Sequence, residues 1–166
     1  MNYVKLNPED KTGIKEMSDL ASSIVREHYD PILGAEQNDY MINKFQSPPA
    51  IIGQLENGYQ YYFVCDDANN RVGFLAFYLC RDYIYLSKFY LRKDQRKKGI
   101  SKDMLNFVIK KTKEAGFSSI VLNVNKYNSA VNVYEKLGFI KIREEKNDIG
   151  SGYYMDDYVY QYTIEE

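Results

Sequence analysis

The chain has 166 residues, which by length is one domain and enough to bury a sizeable core. Its 22 basic and 23 acidic side chains leave a net charge of -1, so no extended basic field exists to recruit nucleic acid or an anionic membrane surface. No apolar run approaches the ~20 residues that cross a bilayer, and the opening Met1-Asn2-Tyr3-Val4-Lys5 carries no signal-peptide core, which points to a cytoplasmic location.

Residues 3–6 read as an edge strand. Ile14, Met17, Leu20, Ala21, Ile24 and Val25 then recur at helical spacing. That helix is expected to end near Glu27 or His28, because Tyr29-Asp30-Pro31 follows and the residue before a proline is pushed out of the α region. His28, the sole histidine, is read as a surface or capping residue. After Gly34, Tyr40, Met41, Lys44 and Phe45 form a second helical pattern, stopped at Ser47-Pro48-Pro49, and a short helix over 50–57 is closed by Gly58. Strand patterns follow at 59–65, 72–79 and 83–91, the first two joined by the Asx-rich turn Ala68-Asn69-Asn70-Arg71.

That turn places Cys65 opposite about Phe74, with Cys80 some six residues farther along. At ~3.3 Å per residue the separation is roughly 20 Å, beyond the ~7 Å that a disulfide spans, so both cysteines are expected to be reduced. The 17 tyrosines, unaccompanied by any Trp, suit half-buried strand positions where the ring packs and the hydroxyl reaches a partner.

Between the strand at 83–91 and the next helix lies Gln95-Arg96-Lys97-Lys98-Gly99-Ile100-Ser101. A helix start presents backbone N–H groups without intrahelical partners, a glycine lets the chain close around an anion, and three basic side chains add charge at the same place. The spacing is neither a P-loop nor a dinucleotide-binding turn. The helix that follows buries Ile100, Met104, Leu105, Val108, Ile109 and Thr112 on one face and ends at Gly116. The nearly all-apolar run 120–124 reads as a central strand covered on both sides. Strands at 139–144 and 153–163, joined by a loop over 148–152, complete a mixed α/β fold with helices on both faces of a mostly antiparallel sheet.

The order of strand, Arg96-x-x-Gly99-x-Ser101 turn, helix, strand, Asn128-containing loop and a short helix ending Tyr134-Glu135-Lys136-Leu137-Gly138-Phe139 resembles the GNAT superfamily of N-acetyltransferases, which bind acetyl-CoA. The resemblance covers residues 83–139; Ser101 stands where the family usually has Gly or Ala. It implies one acetyl-CoA-binding domain over residues 1–166, with strands 83–91 and 120–124 side by side, parallel, and splayed at their C-terminal ends. It implies a cofactor site built from Arg96, Lys97, Lys98, Gly99, Ile100, Ser101 and Lys102 around the pyrophosphate. A bulge at about Phe89, Tyr90 and Leu91 would turn main-chain groups toward the thioester and pantetheine. Tyr134 matches the family's acid for the departing thiolate, and Asn128 either contacts the pantetheine or caps the helix it precedes.

Many relatives carry a Glu as base on the strand before the phosphate turn, where this chain has Tyr85, Ser87 and Lys88; a water relay ordered by Tyr85 or Ser87 is the expected substitute. Glu36, Asp30, Asp156 and Asp157 are candidates to hold a cationic acceptor. Neighbouring residues on a strand point to opposite faces, so at most one of Asp156 and Asp157 faces a cleft. The expected reaction is direct transfer of an acetyl group to a primary amine in a ternary complex, with no metal. The acceptor is a small molecule or a peptide amine, and the Asp156-Asp157-Tyr158 ending, similar to small polyamine acetyltransferases, adds a polyamine to that set. A homodimer is left open. Two other readings stand beside it: a non-catalytic coenzyme A binding module, motivated by the missing Glu, and a binder of protein or tRNA-linked partners through the tyrosine-rich surface.

Overall fold

The computed structural model describes residues 1–165. In chain order it contains β1 (Asn2–Lys5), α1 (Lys11–Leu33), α2 (Ala35–Phe45), α3 (Pro48–Glu56), β2 (Gln60–Cys65), β3 (Arg71–Leu79) and β4 (Ile84–Leu91). A 3-10 turn (Lys93–Gln95) leads into α4 (Ile100–Glu114), then β5 (Ser119–Asn125), α5 (Ala130–Leu137), β6 (Ile140–Gly150) and β7 (Tyr153–Thr163). The strands form one sheet in the order β1-β2-β3-β4-β5-β7-β6. Every neighbouring pair is antiparallel except β4 and β5.

Alternation along the strands sorts the core into two layers. Tyr61, Phe63 and Cys65 of β2, with Phe74 and Ala76 of β3, pack against Ile14, Met17, Leu20, Ala21 and Ile24 of α1 and Ile51 of α3. The intervening Tyr62, Val64, Leu75 and Phe77 face the other way and pack with Ile100, Met104, Leu105 and Val108 of α4. Helices therefore cover both faces, as the sequence pattern predicts.

Three elements differ from their expected bounds. α1 runs past His28 to Leu33 with Pro31 inside it. Its proline sits in the final turn, where the missing N–H forfeits one rung, and the Gly34 N–H still closes on the Asp30 carbonyl at 3.0 Å. The extension is what carries Tyr29, buried at i+4 from Val25, into the middle of the molecule. α3 starts at Pro48, not Ala50: Ser47 caps it by accepting from the Ala50 N–H at 3.3 Å, and prolines in a first turn give up only N–H groups that have no helical partner. β6 continues to Gly150 through charged residues that read as loop by hydropathy; it is the edge of the sheet, where charge on an open strand discourages pairing with other chains.

The β2–β3 register pairs Phe63 with Phe74 and Cys65 with Arg71, because an irregularity falls between Val64 and Cys65. Cys65 is thus not opposite Phe74 as the turn suggested. Both cysteines are free thiols.

The region of β4 decides where function is placed. Phe77 pairs with Leu86 and Ala76 with Lys88, leaving Ser87 as an extra residue. The bulge therefore lies at Ser87, ahead of the expected Phe89 to Leu91. One inserted residue reverses the side-chain alternation beyond it. Ile84 and Leu86 face α4, whereas Tyr90 beyond the bulge faces α1, and Phe89 and Leu91 return to the α4 side. Meanwhile the parallel ladder to β5 consists of Ile84 with Ile120 and Tyr85 with Val121. Past Tyr85 the two strands splay apart, and the wedge between them is the feature around which the rest is organised.

Gly73 lets β3 follow β4 through this region. A Cβ there would collide with the Tyr90 carbonyl oxygen and press on Leu91. Because the obstacle is backbone, Gly73→Ala is expected to lower stability by about 2 kcal/mol or more, read as a fall in the denaturant midpoint.

Candidate active site

The wedge opens on both faces of the sheet. On the α4/α5 face it widens to a groove of about 610 Å³, and on the α1–α3 face to a cavity of about 290 Å³. Tyr29, Ser87, Tyr90 and Asn123 line both, so they mark the place where the contents of the two meet.

The groove begins at the turn before α4. Lys97 at φ 64 and Gly99 at φ 78 both adopt the left-handed conformation, which curls successive N–H groups toward one side. Gly99 is the N-cap of α4 and has no side chain to cap it, so the Ile100, Ser101 and Lys102 amides lack a partner among the described residues. A Cβ placed on Gly99 meets nothing within 4 Å, so the space over these amides is open. Arg96 is anchored beside them, donating to the Leu91 carbonyl at 3.3 Å. Lys97 and Lys102 line the groove as well. Lys98 is exposed and does not line it. Basic side chains, free amides and open space fit a diphosphate.

Farther in, Phe89, Tyr90 and Leu91 form one wall of the groove, and Leu122, Val124, Ala130, Val133 and Tyr134 the other. Since β4 has no ladder partner on its β5 side past Tyr85, its main-chain groups there are available to an extended ligand. Tyr134 is half-buried, with its ring 6.0 Å from Phe89 and 5.6 Å from Phe139. Burial, reinforced by Tyr29, holds its phenol above the ordinary tyrosine range, so it is protonated at neutral pH.

Asn128 acts as a local brace. Its Oδ1 accepts from the Ala130 N–H at 2.8 Å at the start of α5, and its Nδ2 donates to the Tyr29 hydroxyl at 3.0 Å. His28 is not a surface residue: its Nε2 lies 2.7 Å from Asn128 Oδ1, it lines the groove, and burial pulls its pKa down. Burial raises the Tyr29 phenol, while Tyr90 and Asn128 donating to its oxygen pull the other way. The sequence reads His28 only as a surface or capping residue and does not single out Tyr29. The signal for Tyr29 was the continued four-residue spacing from Val25, which Pro31 masked.

The cavity on the opposite face is lined by tyrosines 29, 59, 78, 85, 90 and 154, with one buried carboxylate. Asp157 is 2 % exposed; its Oδ2 is 3.4 Å from the Asn123 amide and its Oδ1 has no hydrogen-bond partner among the described residues. Burial pushes its carboxyl up to about 6, against the Asn123 contact that lowers it. Tyr85 donates to Asn123 Oδ1 at 2.8 Å and so fixes the amide that faces Asp157. Asp156 points away and pairs with Lys126 at 3.0 Å on the surface, so the alternation of faces holds. Ser87, at the bulge, faces both spaces. Glu36 is exposed beside Tyr153, and Asp30 accepts from Asn38 at 2.6 Å; neither lines the cavity. Lys88 is 5 % exposed, with no acid beside it, and burial pulls its amine down to about 7.

Known proteins share this architecture. The family model described as an Acetyltransferase (GNAT) domain matches residues 29–154. A search of curated proteins by sequence finds no match. Among solved structures, the PaiA N-acetyltransferase from Thermoplasma acidophilum in complex with coenzyme A superposes with a TM-score of 0.76 at 19% identity, over 98% of this chain and 99% of that one. A GNAT-family acetyltransferase from Staphylococcus aureus gives 0.67 at 23% identity, covering 99% of both chains. A spermidine N-acetyltransferase chimera from Vibrio cholerae and hSSAT gives 0.67 at 16% identity over 98% of this chain and 96% of that one. Matched over most of its length and folded around the same splayed sheet, the chain belongs to the GNAT family of acetyltransferases, enzymes whose acyl donor is acetyl-CoA.

Proposed function

We propose that the protein transfers the acetyl group of acetyl-CoA directly to a primary amine, with the donor in the α4/α5 groove and the acceptor in the tyrosine-lined cavity. The observation that supports this reading is the wedge itself: two spaces of different chemistry, one built for an anion and one holding a buried carboxylate, share the same four residues.

Residues Arg96, Lys97 and Lys102, with the amides of Ile100, Ser101 and Lys102, would hold the cofactor diphosphate. The free edge of β4 from Phe89 to Leu91 would pair with the amides of its pantetheine arm. Acetyl-CoA, when bound, supplies a thioester carbonyl whose C–S bond is exchanged for a C–N bond. Main-chain N–H groups at the bulge would face the carbonyl oxygen, a type of donor worth about 3 to 4 kcal/mol where charge develops. Tyr134, protonated, donates its hydrogen to the departing sulfur. Asp157 orients the incoming ammonium and takes its proton, either directly or through one water, and Tyr85 keeps the intervening Asn123 amide turned toward it. Asp157 thus takes one proton from the ammonium before attack, the freed lone pair bonds to carbon as the C–S bond breaks, and the second nitrogen proton, shed as the amide forms, returns through water to the Tyr134 oxygen that protonated the sulfur.

The test combines calorimetric titration of coenzyme A with thiol release from acetyl-CoA across a set of amines. Binding together with amine-dependent thiol release supports the proposal; binding with no turnover for any amine leaves a coenzyme A binding module instead. A second measurement addresses the anion turn. Gly99→Ala is expected to cost about 1 to 2 kcal/mol of stability for its left-handed backbone, while its methyl enters the open space over the helix start. The coenzyme A dissociation constant is expected to rise about tenfold or more, which is ~1.4 kcal/mol of binding.

A further inference from the structure

Lys88 has no part in the reaction just described, and its surroundings are unusual. Four oxygens lie within hydrogen-bond reach of its Nζ and share its three protons: the Phe45 carbonyl at 2.7 Å, Gln46 Oε1 at 2.9 Å, Gln54 Oε1 at 3.0 Å and the Tyr61 hydroxyl. The Nζ meets Tyr61 at the hydroxyl end of the ring, with the ring centroid 5.0 Å away. Tyr61 passes its own proton to Gln54 Oε1 at 2.5 Å, so its oxygen is left to accept. Four neutral oxygens gathered around one nitrogen is how a protein receives an ammonium group. These acceptors favour the charged form against the burial that disfavours it. The bulge at Ser87 is what turns Lys88 to this side of the sheet.

Phe45, Gln46, Gln54 and Lys88 all line the acceptor cavity. Asp157 stands on β7, two strand positions across the sheet from β4, and because β4 and β5 have parted by Lys88 the separation exceeds the roughly 10 Å of two strand spacings. Lys88 and Asp157 share no hydrogen-bond partner. Each end of the cavity therefore has its own occupant: a buried carboxylate at one, a lysine amine already seated among its acceptors at the other. Its volume of about 290 Å³ corresponds to roughly ten waters at ~30 Å³ each, and so to an acceptor of about that many heavy atoms.

We infer that Lys88 permanently fills an ammonium receptor in the wall of the acceptor cavity, so that the enzyme takes small monoamines with an uncharged body and discriminates against diamines and polyamines. This rests on the reading of the tyrosine-lined cavity as the acceptor site. A guest with one ammonium finds Asp157 and aromatic walls. A guest with two finds the acceptors of its second receptor already taken by the Lys88 amine, which is discrimination by an unfavourable contact built into the site.

Steady-state kinetics of the full chain with 2-phenylethylamine, n-hexylamine, putrescine and spermidine tests this. For the wild type, kcat/KM for the two monoamines is expected to exceed that for putrescine and spermidine by at least tenfold. Lys88→Ala vacates the receptor and should close that gap by tenfold or more, with putrescine gaining in absolute terms. Lys88→Met removes the cation while filling the space, so it also narrows the gap and serves if the Ala chain does not fold. Spermidine used as well as n-hexylamine by the wild type overturns the inference, as does an unchanged ratio in a folded Lys88 variant. Failure of every amine to react while coenzyme A binds overturns the acceptor-site reading underneath it.

Discussion

Asp157→Asn is expected to lower kcat/KM for amines by 10² to 10⁴ and, at the same time, to raise the melting temperature. An alkylamine of pKa ~10.4 is neutral in only about four molecules in ten thousand at pH 7, so obtaining its lone pair costs about 4.6 kcal/mol without help. A carboxylate held at about 6 is a stronger base than an ordinary one, and Asp157 lines the cavity where an acceptor would lie. The ionised form is the working one. Wild-type kcat/KM should therefore rise as pH increases through about 6, and the Asn chain should lack that limb.

The stability change has the opposite sign. An acid whose folded pKa is raised favours folding below its unfolded value and loses that contribution as pH climbs to the folded one. Moving from 3.8 to about 6 leaves the buried carboxylate opposing the fold by up to about 3 kcal/mol at pH 7. Removing the charge should raise the melting temperature by several degrees, at ~2 to 4 °C per kcal/mol for a chain of this size. Greater stability with lost turnover separates a residue kept for chemistry from one kept for packing. A parallel fall in both would exclude the proposed role.

Tyr134→Phe should lower kcat about 10²-fold or more while leaving the coenzyme A dissociation constant within about twofold. The ring packs against Phe89 and Phe139, and phenylalanine keeps those contacts. What disappears is one hydroxyl for which no hydrogen-bond partner is found among the described residues. Because burial keeps the phenol protonated, no alkaline limb from Tyr134 should appear in the neutral range. Calorimetry for binding and single-turnover thiol release for chemistry distinguish this from a packing role, which would weaken binding and lower the melting temperature together.

The anion turn was the most legible part of the molecule. Basic residues, one glycine and an amphipathic helix behind it are local features, and the fold leaves them as adjacent as they are in the chain. Lys98 is the exception, since which of three consecutive basic side chains turns inward depends on the left-handed backbone at Lys97. The acceptor side was harder to read because each of its residues depends on a non-local event. Adjacent aspartates announce that one faces inward; that it is Asp157 follows from its pairing with Asn125 on β5 and Glu145 on β6. Strict alternation would set Lys88 with Ile84 and Leu86 in the α4 core, and one bulge residue reverses it. Pro31 looked like the end of a helix, and that reading hid Tyr29 and His28.

The splayed strands also have a mechanical meaning. Among the described residues, two ladder pairs, Ile84 with Ile120 and Tyr85 with Val121, and the Tyr85–Asn123 side-chain bond beside them stitch the β1–β4 half of the sheet to the β5–β7–β6 half. In effect the protein is two hydrogen-bonded plates joined at one corner, with helices bolted across the seam. Amide exchange should report two blocks of protection with their boundary at that corner, and a donor lying along the seam should slow exchange in both blocks together.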